Sequence, residues 1–241
     1  MRSHVPILSS DDIEHFHAQG HVVVRGCFSR EFAEEWVELA FRRLGYDRRD
    51  PSTWERPLTH MPGMNSFEFE EYAPAAWQAA CQLMGGEERI AKPVRFSDGI
   101  IMNLGYGKEK SWTPPGPEAT GWHKDGDFFR HFLDSPEQGL LTIVLWTDVV
   151  SRGGATFVAL DSVPVVARFL VQRPEGVLPN EIPFRSMIAE CHEFAELTGN
   201  VGDIFLIHPY VLHASSQNLK NVERGITNPP FHLTAPMNFN R

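Results

Sequence analysis

The first third of the chain places apolar residues with the period of amphipathic helices. Asp11 and Glu14 have the spacing of a capping box, which predicts a short helix that ends at Gly20. The β-branched run at residues 21–25 (HVVVR) predicts a strand directly after it. The chain is therefore expected to begin with a helix followed by a strand.

Two further helices are expected before residue 92. Ser29 is a suitable N-cap, and apolar residues recur after it at helical spacing as far as Gly45. A third helical stretch follows Pro74, where one side of the helix would carry Ala76, Trp77, Ala80, Cys81 and Met84. We therefore predict a mostly helical flank over residues 1–92.

From residue 93 onward the pattern changes to short apolar runs separated by Gly, Pro, Asn and Asp. Five such runs predict strands, at residues 99–107, 139–149, 154–160, 202–208 and 224–233. Many short strands favour a sandwich or barrel over a parallel, doubly wound sheet. We expect one domain over residues 1–241, mainly β, in which the helical flank packs against a β core formed by residues 93–241.

Two segments of this second half do not resemble strands. Residues 162–170 (SVPVVARFL) predict a helix with Ser162 as its N-cap. Residues 107–121 are too rich in Pro and Gly for regular structure, so they form a candidate lid. This lid would lie next to residues 121–132 (GWHKDGDFFRHF), which carry the first candidate chemistry.

Composition narrows the classes of function. The formal charge of −9 and the pI near 5.6 argue against a nucleic-acid partner. No apolar run reaches the roughly 20 residues of a membrane-spanning helix, and the N-terminal segment lacks the apolar core of a signal peptide. The three cysteines are far apart and form no CxxC pair. We expect a cytoplasmic protein with a small-molecule partner.

The pair His123-x-Asp125 is the first candidate for metal binding. Alternate residues of a strand point to the same face, so the imidazole and the carboxylate would project together, with Lys124 on the opposite face. Such a pair can supply two of the three ligands of a facial iron(II) triad. Chance alone gives roughly half a match to this pattern in a chain with this many His and Asp residues, so the pair is weak evidence by itself.

A third ligand would come from residues 202–218, which contain His208 and His213 after an apolar strand. Pro209 interrupts strand pairing, so His213 is expected on a second short strand. Arg224 follows His213 by eleven residues and could bind a carboxylate through its planar guanidinium. The ordered set of His-x-Asp, a later His and then Arg is far rarer by chance than any one of its parts.

Several stretches together resemble the phytanoyl-CoA dioxygenase family. They are GWHKDGD (121–127), GLLTIVLWTDVVSRGGATFVALDS (139–162), GDIFLIHPYVLHASSQN (202–218) with ERGIT (223–227), and the N-terminal LSSDDIEHFHAQGHVVVRGCFS (8–29). The resemblance implies a double-stranded β-helix, the jelly-roll or cupin-like fold. It also implies an enzyme that uses iron(II), 2-oxoglutarate and O2 and releases succinate and CO2.

The same resemblance implies roles for individual residues. His123, Asp125 and His213 would bind iron, and Arg224 would hold the distal carboxylate of 2-oxoglutarate. Ser215 is a candidate partner for the same carboxylate, with Thr227 as the alternative, and Asn103 is a candidate for the other end of the co-substrate. Halogenating relatives replace the metal carboxylate by a small residue, so the presence of Asp125 disfavours halogenation.

The substrate is less constrained than the metal site. Trp112, Phe128 and Phe129 could line an apolar pocket, which favours hydroxylation of a small, largely apolar metabolite. Lysines and an arginine nearby keep an anionic substrate open, including an acyl-CoA. Two other hypotheses are a cupin-like metalloenzyme that does not use 2-oxoglutarate and a binding module without catalysis. The set of four site residues argues against the binding module.

Overall fold

The computed structural model describes residues 6–238. Its strands are β1 (His21–Val24), β2 (Leu58–His60), β3 (Ser66–Glu68), β4 (Arg95–Ser97), β5 (Ile101–Asn103), β6 (Leu140–Leu145), β7 (Thr156–Ala159), β8 (Phe194–Leu197), β9 (Ile204–Ile207), β10 (His213–Ser215), β11 (Arg224–Thr227) and β12 (Pro230–Phe231). Its helices are α1 (Ser10–Gln19), α2 (Arg30–Leu44), α3 (Phe69–Tyr72), α4 (Pro74–Met84), α5 (Ser162–Val171) and α6 (Phe184–Ile188).

The strands form a large sheet and a small sheet, both antiparallel. The large sheet has seven strands in the order β1-β9-β6-β11-β5-β2, with β12 also paired to β6. The small sheet has three strands in the order β10-β7-β8, and β3 pairs with β4 separately. This arrangement confirms the mainly β, jelly-roll class and excludes a parallel, doubly wound sheet.

The interior lies between the large and the small sheet. Alternate residues of β6 and β9 point inward from the large sheet, and Val158 points inward from β7. The buried side chains that meet there include Leu141, Ile143, Phe205 and Ile207. The metal-binding candidates occupy the open end of this interior, since His213 is the cross-strand partner of Val158.

The N-terminal helices cover the outer face of the large sheet. The opposite faces of β6 and β9 present Leu140, Val144, Ile204 and Leu206 to Val37 and Phe41 of α2 and to Trp77 of α4. The outer face of the small sheet is covered separately by α5 and α6. The prediction that the helical flank packs against one sheet is therefore confirmed.

Local capping differs from the prediction at two helices. The capping box of α1 is formed by Ser9 and Asp12 rather than by Asp11 and Glu14, and Gly20 ends the helix as predicted. Ser162 does not cap α5. Instead it lies inside the first turn, where its hydroxyl donates to Ala159 O and accepts from Leu212 N.

The predicted strands are shorter in the structure than in the sequence patterns. The run 224–233 divides into β11 and β12, because Pro229 lacks the N–H that a continuous ladder needs. The run 99–107 contributes only the residues of β5, and residues 107–121 form turns and irregular backbone as expected. β8 and α6 were not predicted from the sequence.

His208 has a structural role next to α1. Its backbone N–H donates to Gly20 O at 2.8 Å, and its ring nitrogen Nδ1 accepts from the Tyr210 N–H at 3.1 Å. The ring packs against Phe16 and Tyr210. Burial lowers the pKa of His208 to about 4, because a charged imidazole would lose its hydration there.

This low pKa predicts an acid-sensitive fold. The unfolded chain protonates His208 below its ordinary pKa near 6.5 while the folded chain does not, so this contribution to stability is complete above pH 6.5 and is lost as the pH falls toward 4. The loss amounts to about 3 kcal/mol at full extent. Denaturant unfolding of His208→Asn, which keeps an acceptor for Tyr210, should show a smaller loss over this range. An unchanged pH dependence would contradict the assignment.

Candidate metal centre

His123, Asp125 and His213 converge at the open end of the interior. Their ligand atoms all lie within 4.8 Å of one another. The Asp125 oxygen Oδ1 is 3.2 Å from His213 Nε2 and 3.4 Å from His123 Nε2. Two imidazole nitrogens and one carboxylate oxygen therefore face one point, as a facial metal triad requires.

A pair of backbone hydrogen bonds brings the two histidines together. His123 N–H donates to His213 O at 3.0 Å, and His213 N–H donates to His123 O at 2.8 Å. His123 forms only this isolated bridge and does not lie in a regular strand, whereas His213 begins β10. The expected convergence of His123 and Asp125 is thus present, although the expected strand is reduced to one bridge.

Second hydrogen bonds set the orientation of both rings. The Nδ1 atom of His123 is 2.7 Å from Gly121 O, and the Nδ1 atom of His213 is 3.2 Å from Val211 O. A carbonyl partner places the ring proton on Nδ1, which leaves the Nε2 lone pair free for a metal. Both rings therefore present the nitrogen that faces Asp125.

The electrostatics of the triad favour an ionised carboxylate. Burial alone would raise the pKa of Asp125, but hydrogen bonds with His123 and His213 outweigh it and hold that pKa below its ordinary value. The pKa of His123 is raised in turn: burial acts against this, and the contact with Asp125 outweighs it. A bound metal cation would take the place of a proton on His123 Nε2 next to Asp125.

The second oxygen of Asp125 has a partner that the sequence did not reveal. Asn228, which follows β11, donates from Nδ2 to Asp125 Oδ2 at 2.9 Å. No motif marks this residue in the sequence. Its position before Pro229-Pro230 is the only local signal, because that pair fixes the backbone where β11 ends.

The Lys124 ammonium forms hydrogen bonds with the loop that follows it and with one backbone carbonyl, not with the side chains of the metal-ligand candidates. It lies 2.8 Å from His131 Nδ1, 3.0 Å from Asp125 O and 3.5 Å from Gln138 Oε1. The side chain is buried rather than solvated, and burial lowers the pKa of Lys124 to about 7. Lys124 thus ties the metal segment to the loop that follows it.

Arg224 is a buried cation without a carboxylate partner in the described part of the chain. Its Nε donates to Gly154 O at 2.5 Å and its Nη1 to Ile101 O at 3.4 Å, while Nη2 has no partner. The side chain is 1 % exposed, and burial lowers the pKa of Arg224 to about 10. An unpaired guanidinium in this position has the positive charge and the free donor that an anion would bind.

The other predicted co-substrate residues lie in different environments. Ser215 shares the inward face of β10 with His213 and is exposed to solvent. It is not hydrogen-bonded to Arg224. Thr227 lies three residues beyond Arg224 and faces the helices, where it accepts from Trp146 Nε1 at 3.1 Å. Asn103 is opposite Arg224 in the sheet, but its amide is bonded to backbone atoms. The structure therefore does not bring Thr227 to the Arg224 side.

The three predicted substrate aromatics separate in the structure. Trp112 packs edge-on against Phe157 on the outer face of the small sheet, so it is not brought to the metal ligands. Phe129 packs against His131 and near the Lys124 ammonium. Phe128 is 62 % exposed and borders the cavity at the metal ligands.

That cavity has a volume of about 380 Å³. Its lining combines the triad residues His123 and Asp125 with polar and apolar neighbours, namely His60, Ile101, Lys124, Gly126, Asp127, Phe128, Gln138, Asn228 and Pro230. Ile101, whose carbonyl accepts from Arg224, connects the cavity to the buried guanidinium. The volume suits a small molecule.

Solved structures of three proteins share this fold at low identity. SnoN, a nogalamycin epimerase solved with Fe3+, alpha ketoglutarate and nogalamycin RO, is 16% identical over 92% of this chain and 82% of that chain, with a TM-score of 0.54. EctD from S. alaskensis, solved with bound Fe, is 18% identical over 100% and 84%, with a TM-score of 0.55. AviO1 from Streptomyces viridochromogenes Tue57 is 13% identical over 97% and 99%, with a TM-score of 0.54.

At these identities the likeness establishes a shared fold. No protein-family model matches the sequence, and no curated protein matches it. Among the described residues, no helix is long and apolar enough to cross a membrane.

Metal titration should distinguish the two histidines of residues 202–218. We expect His213→Asn to weaken the binding of Fe(II) or Co(II) by more than the 10- to 100-fold typical of outer-shell changes, because it removes a ligand atom. His208→Asn is the matched control and should bind metal as the wild type does. Anaerobic calorimetry measures both. Equal affinity in the two variants would contradict the assignment of the triad.

Proposed function

We propose that this protein is an iron(II)- and 2-oxoglutarate-dependent oxygenase of the phytanoyl-CoA dioxygenase type, and that it hydroxylates a small molecule. The observation that carries this proposal is the pairing of a His-Asp-His triad with a buried, unpaired arginine in one β sandwich. A triad alone fits many metalloenzymes. The addition of Arg224 supports one that binds a carboxylate next to its metal.

The donor set fits iron(II). Two neutral imidazoles and one carboxylate form the facial arrangement typical of non-haem iron oxygenases, which leaves metal positions open for other ligands. The Nδ1 contacts of His123 and His213 with backbone carbonyls hold both Nε2 atoms toward Asp125. When bound, iron(II) with 2-oxoglutarate and O2 would supply the oxidation and release succinate and CO2.

Arg224 fits the distal carboxylate of 2-oxoglutarate. Its Nη2 atom has no acceptor, although a buried donor without a partner destabilises a fold by roughly 1–3 kcal/mol. A bound carboxylate would satisfy this donor and neutralise the charge. Ser215 and Asn103 remain proposals for further contacts, Ser215 because it faces inward with His213, and Asn103 because it lies opposite Arg224. The geometry favours Ser215 over Thr227.

The chain's own residues would position reactants and limit water. Burial of Arg224 and of the inner faces of β6 and β9 keeps solvent from the inner end of the site. The candidate lid over residues 107–121 is held by Gln217, whose side chain bonds to Gly107 O, Ser111 O and Thr113 N. The lid therefore packs on the segment that directly follows β10.

The cavity favours a small substrate that carries polar groups. Phe128 and Ile101 provide apolar surface, but most of the side chains around them are polar or charged. This lining favours a polar substrate over the largely apolar metabolite expected from the sequence. A volume of about 380 Å³ is also small for an acyl-CoA. Hydroxylation is the simplest outcome for such a site.

The same proposal includes the cellular compartment and the domain organisation of the protein. Cys27, Cys81 and Cys191 are free thiols, which fits a reducing, cytoplasmic compartment. We infer one oxygenase domain over residues 1–241, since helices of the N-terminal flank form a common core with strands of the large sheet. His123, Asp125 and His213 would bind the metal, and no nucleic-acid or membrane partner is proposed.

Anaerobic addition of iron(II) and 2-oxoglutarate tests the proposal. A weak visible charge-transfer band should appear in the wild-type protein, because the co-substrate would chelate the metal. His123→Ala and Asp125→Ala should abolish this band while the far-ultraviolet circular dichroism stays unchanged. A folded wild-type protein that gives no band would refute the proposed function.

Arg224→Met tests the co-substrate site separately from the metal. We expect 2-oxoglutarate affinity to fall at least about 30-fold, as loss of a buried charged partner predicts, while metal affinity stays unchanged. Thermal stability should hold or rise, because the variant removes a buried unpaired charge. Arg43→Met, which breaks the ion pair with Asp98, is the matched control and should lose stability but bind 2-oxoglutarate normally. A 2-oxoglutarate affinity unaffected by Arg224→Met would refute the contact between Arg224 and the distal carboxylate, and a wild-type protein that binds no 2-oxoglutarate would favour a metalloenzyme without this co-substrate.

A further inference from the structure

The two carboxylate oxygens of Asp125 have different partners. Oδ1 faces the Nε2 atoms of His123 and His213, whereas Oδ2 accepts a hydrogen bond from Asn228 Nδ2 at 2.9 Å. We propose that Asn228 is a positioning residue that holds Asp125 as a ligand through one oxygen. This inference rests on the metal site of the proposed function and adds a residue to it.

The backbone on both sides of Asn228 pairs with β6, beginning with Thr227, which pairs with Val144. Pro229 O accepts hydrogen bonds from Thr142 N at 3.2 Å and from Thr142 Oγ1 at 2.6 Å, and Pro230 pairs with Leu141 of β6. A residue before proline is restricted to extended backbone. Asn228 therefore projects its side chain from a rigid point between β11 and β12.

The side chain of Asn228 has no other hydrogen-bond partner within residues 6–238. It lines the cavity next to the triad rather than packing into the hydrophobic core. A side chain used only to stabilise the turn would be expected to bond to the turn itself, as Asn218 does with Val222 O. The contact of Asn228 is directed at a metal ligand.

An amide is the side chain that this position requires. The Nδ2 donor neutralises part of the charge on Oδ2 without bringing a full positive charge next to a cation. It also occupies the oxygen that would otherwise turn toward the metal and take a second coordination position. Asn228 thus keeps open the positions that 2-oxoglutarate and O2 need.

Co(II) alone is the probe for this role, because its visible absorption reports both affinity and coordination number. Asn228→Leu keeps the approximate size of the side chain and removes the donor. We expect a 10- to 100-fold loss of Co(II) affinity, the range for outer-shell partners, and a changed visible spectrum. Asn228→Ala removes the donor without added bulk and should give the same changes, so the test does not depend on one variant folding.

Asn65→Leu is the matched control. Asn65 donates to Asp98 Oδ2 at 3.0 Å, the same amide-to-carboxylate bond in a place without a metal triad. This variant should lower the melting temperature but leave the Co(II) affinity and spectrum unchanged. A folded Asn228 variant with the wild-type affinity and spectrum would overturn the inference. If the wild-type protein binds no Co(II), the metal site of the proposed function is refuted. If the wild type binds Co(II) and the Asn228 variants match it, only the role of Asn228 is refuted, so the two failures are distinguishable.

Discussion

The candidate site depends on the two backbone hydrogen bonds that join His123 to His213. They connect an irregular segment of the chain to β10, whose other strand partner within residues 6–238 is β7. Because each residue of the bridge is also a metal-ligand candidate, the backbone pairing fixes the separation of the two rings before any metal binds. Asp125 lies two residues after His123. Its side chain reaches the same point, because alternate residues of extended backbone project to the same side.

Charge distribution gives the site its second constraint. Asp125 is the only carboxylate that contacts the two histidines in the described structure, and the nearby Lys124 and Arg224 are buried without a strong ion pair. Such groups destabilise a fold unless something else compensates for them. Local departures from the rules of a stable core are typical of functional sites. The free protein thus carries a positive charge at Arg224 that a bound anion would balance.

The sequence predicted the frame well because periodicity and caps act locally. The bounds of α2 and the position of His213 on a short strand are confirmed, and α4 lies where a helical stretch was predicted after Pro74. The strand predicted at residues 21–25 is present over His21–Val24. The prediction that His123 and Asp125 lie together is confirmed, although only an isolated bridge at His123 is present where a regular strand was expected. Strand alternation places Arg224 and Thr227 on opposite faces, because their positions differ by three, and the structure shows this outcome.

What the sequence could not give are contacts set by distant segments. Trp112 could not be placed because the position of Phe157 on the outer face of β7 depends on how the two sheets assemble. Asn228 carries no motif, and its direction is fixed by Thr142, a residue of β6 that is remote in the chain. The identity of the substrate likewise depends on a cavity whose walls come from separated loops.

The path of β11 explains why the site can be both open and rigid. Arg224, Ile226 and Asn228 alternate along one extended segment and share its inward face, as their contacts with Gly154, the inner core and Asp125 show. At about 3.3 Å per residue, the segment separates the Arg224 and Asn228 backbones by roughly 13 Å. One extended segment would therefore supply the binding group for an anion at one end and the support for the metal carboxylate at the other. A small dicarboxylate held between them would be positioned by a single piece of backbone, so the spacing does not depend on how the loops move.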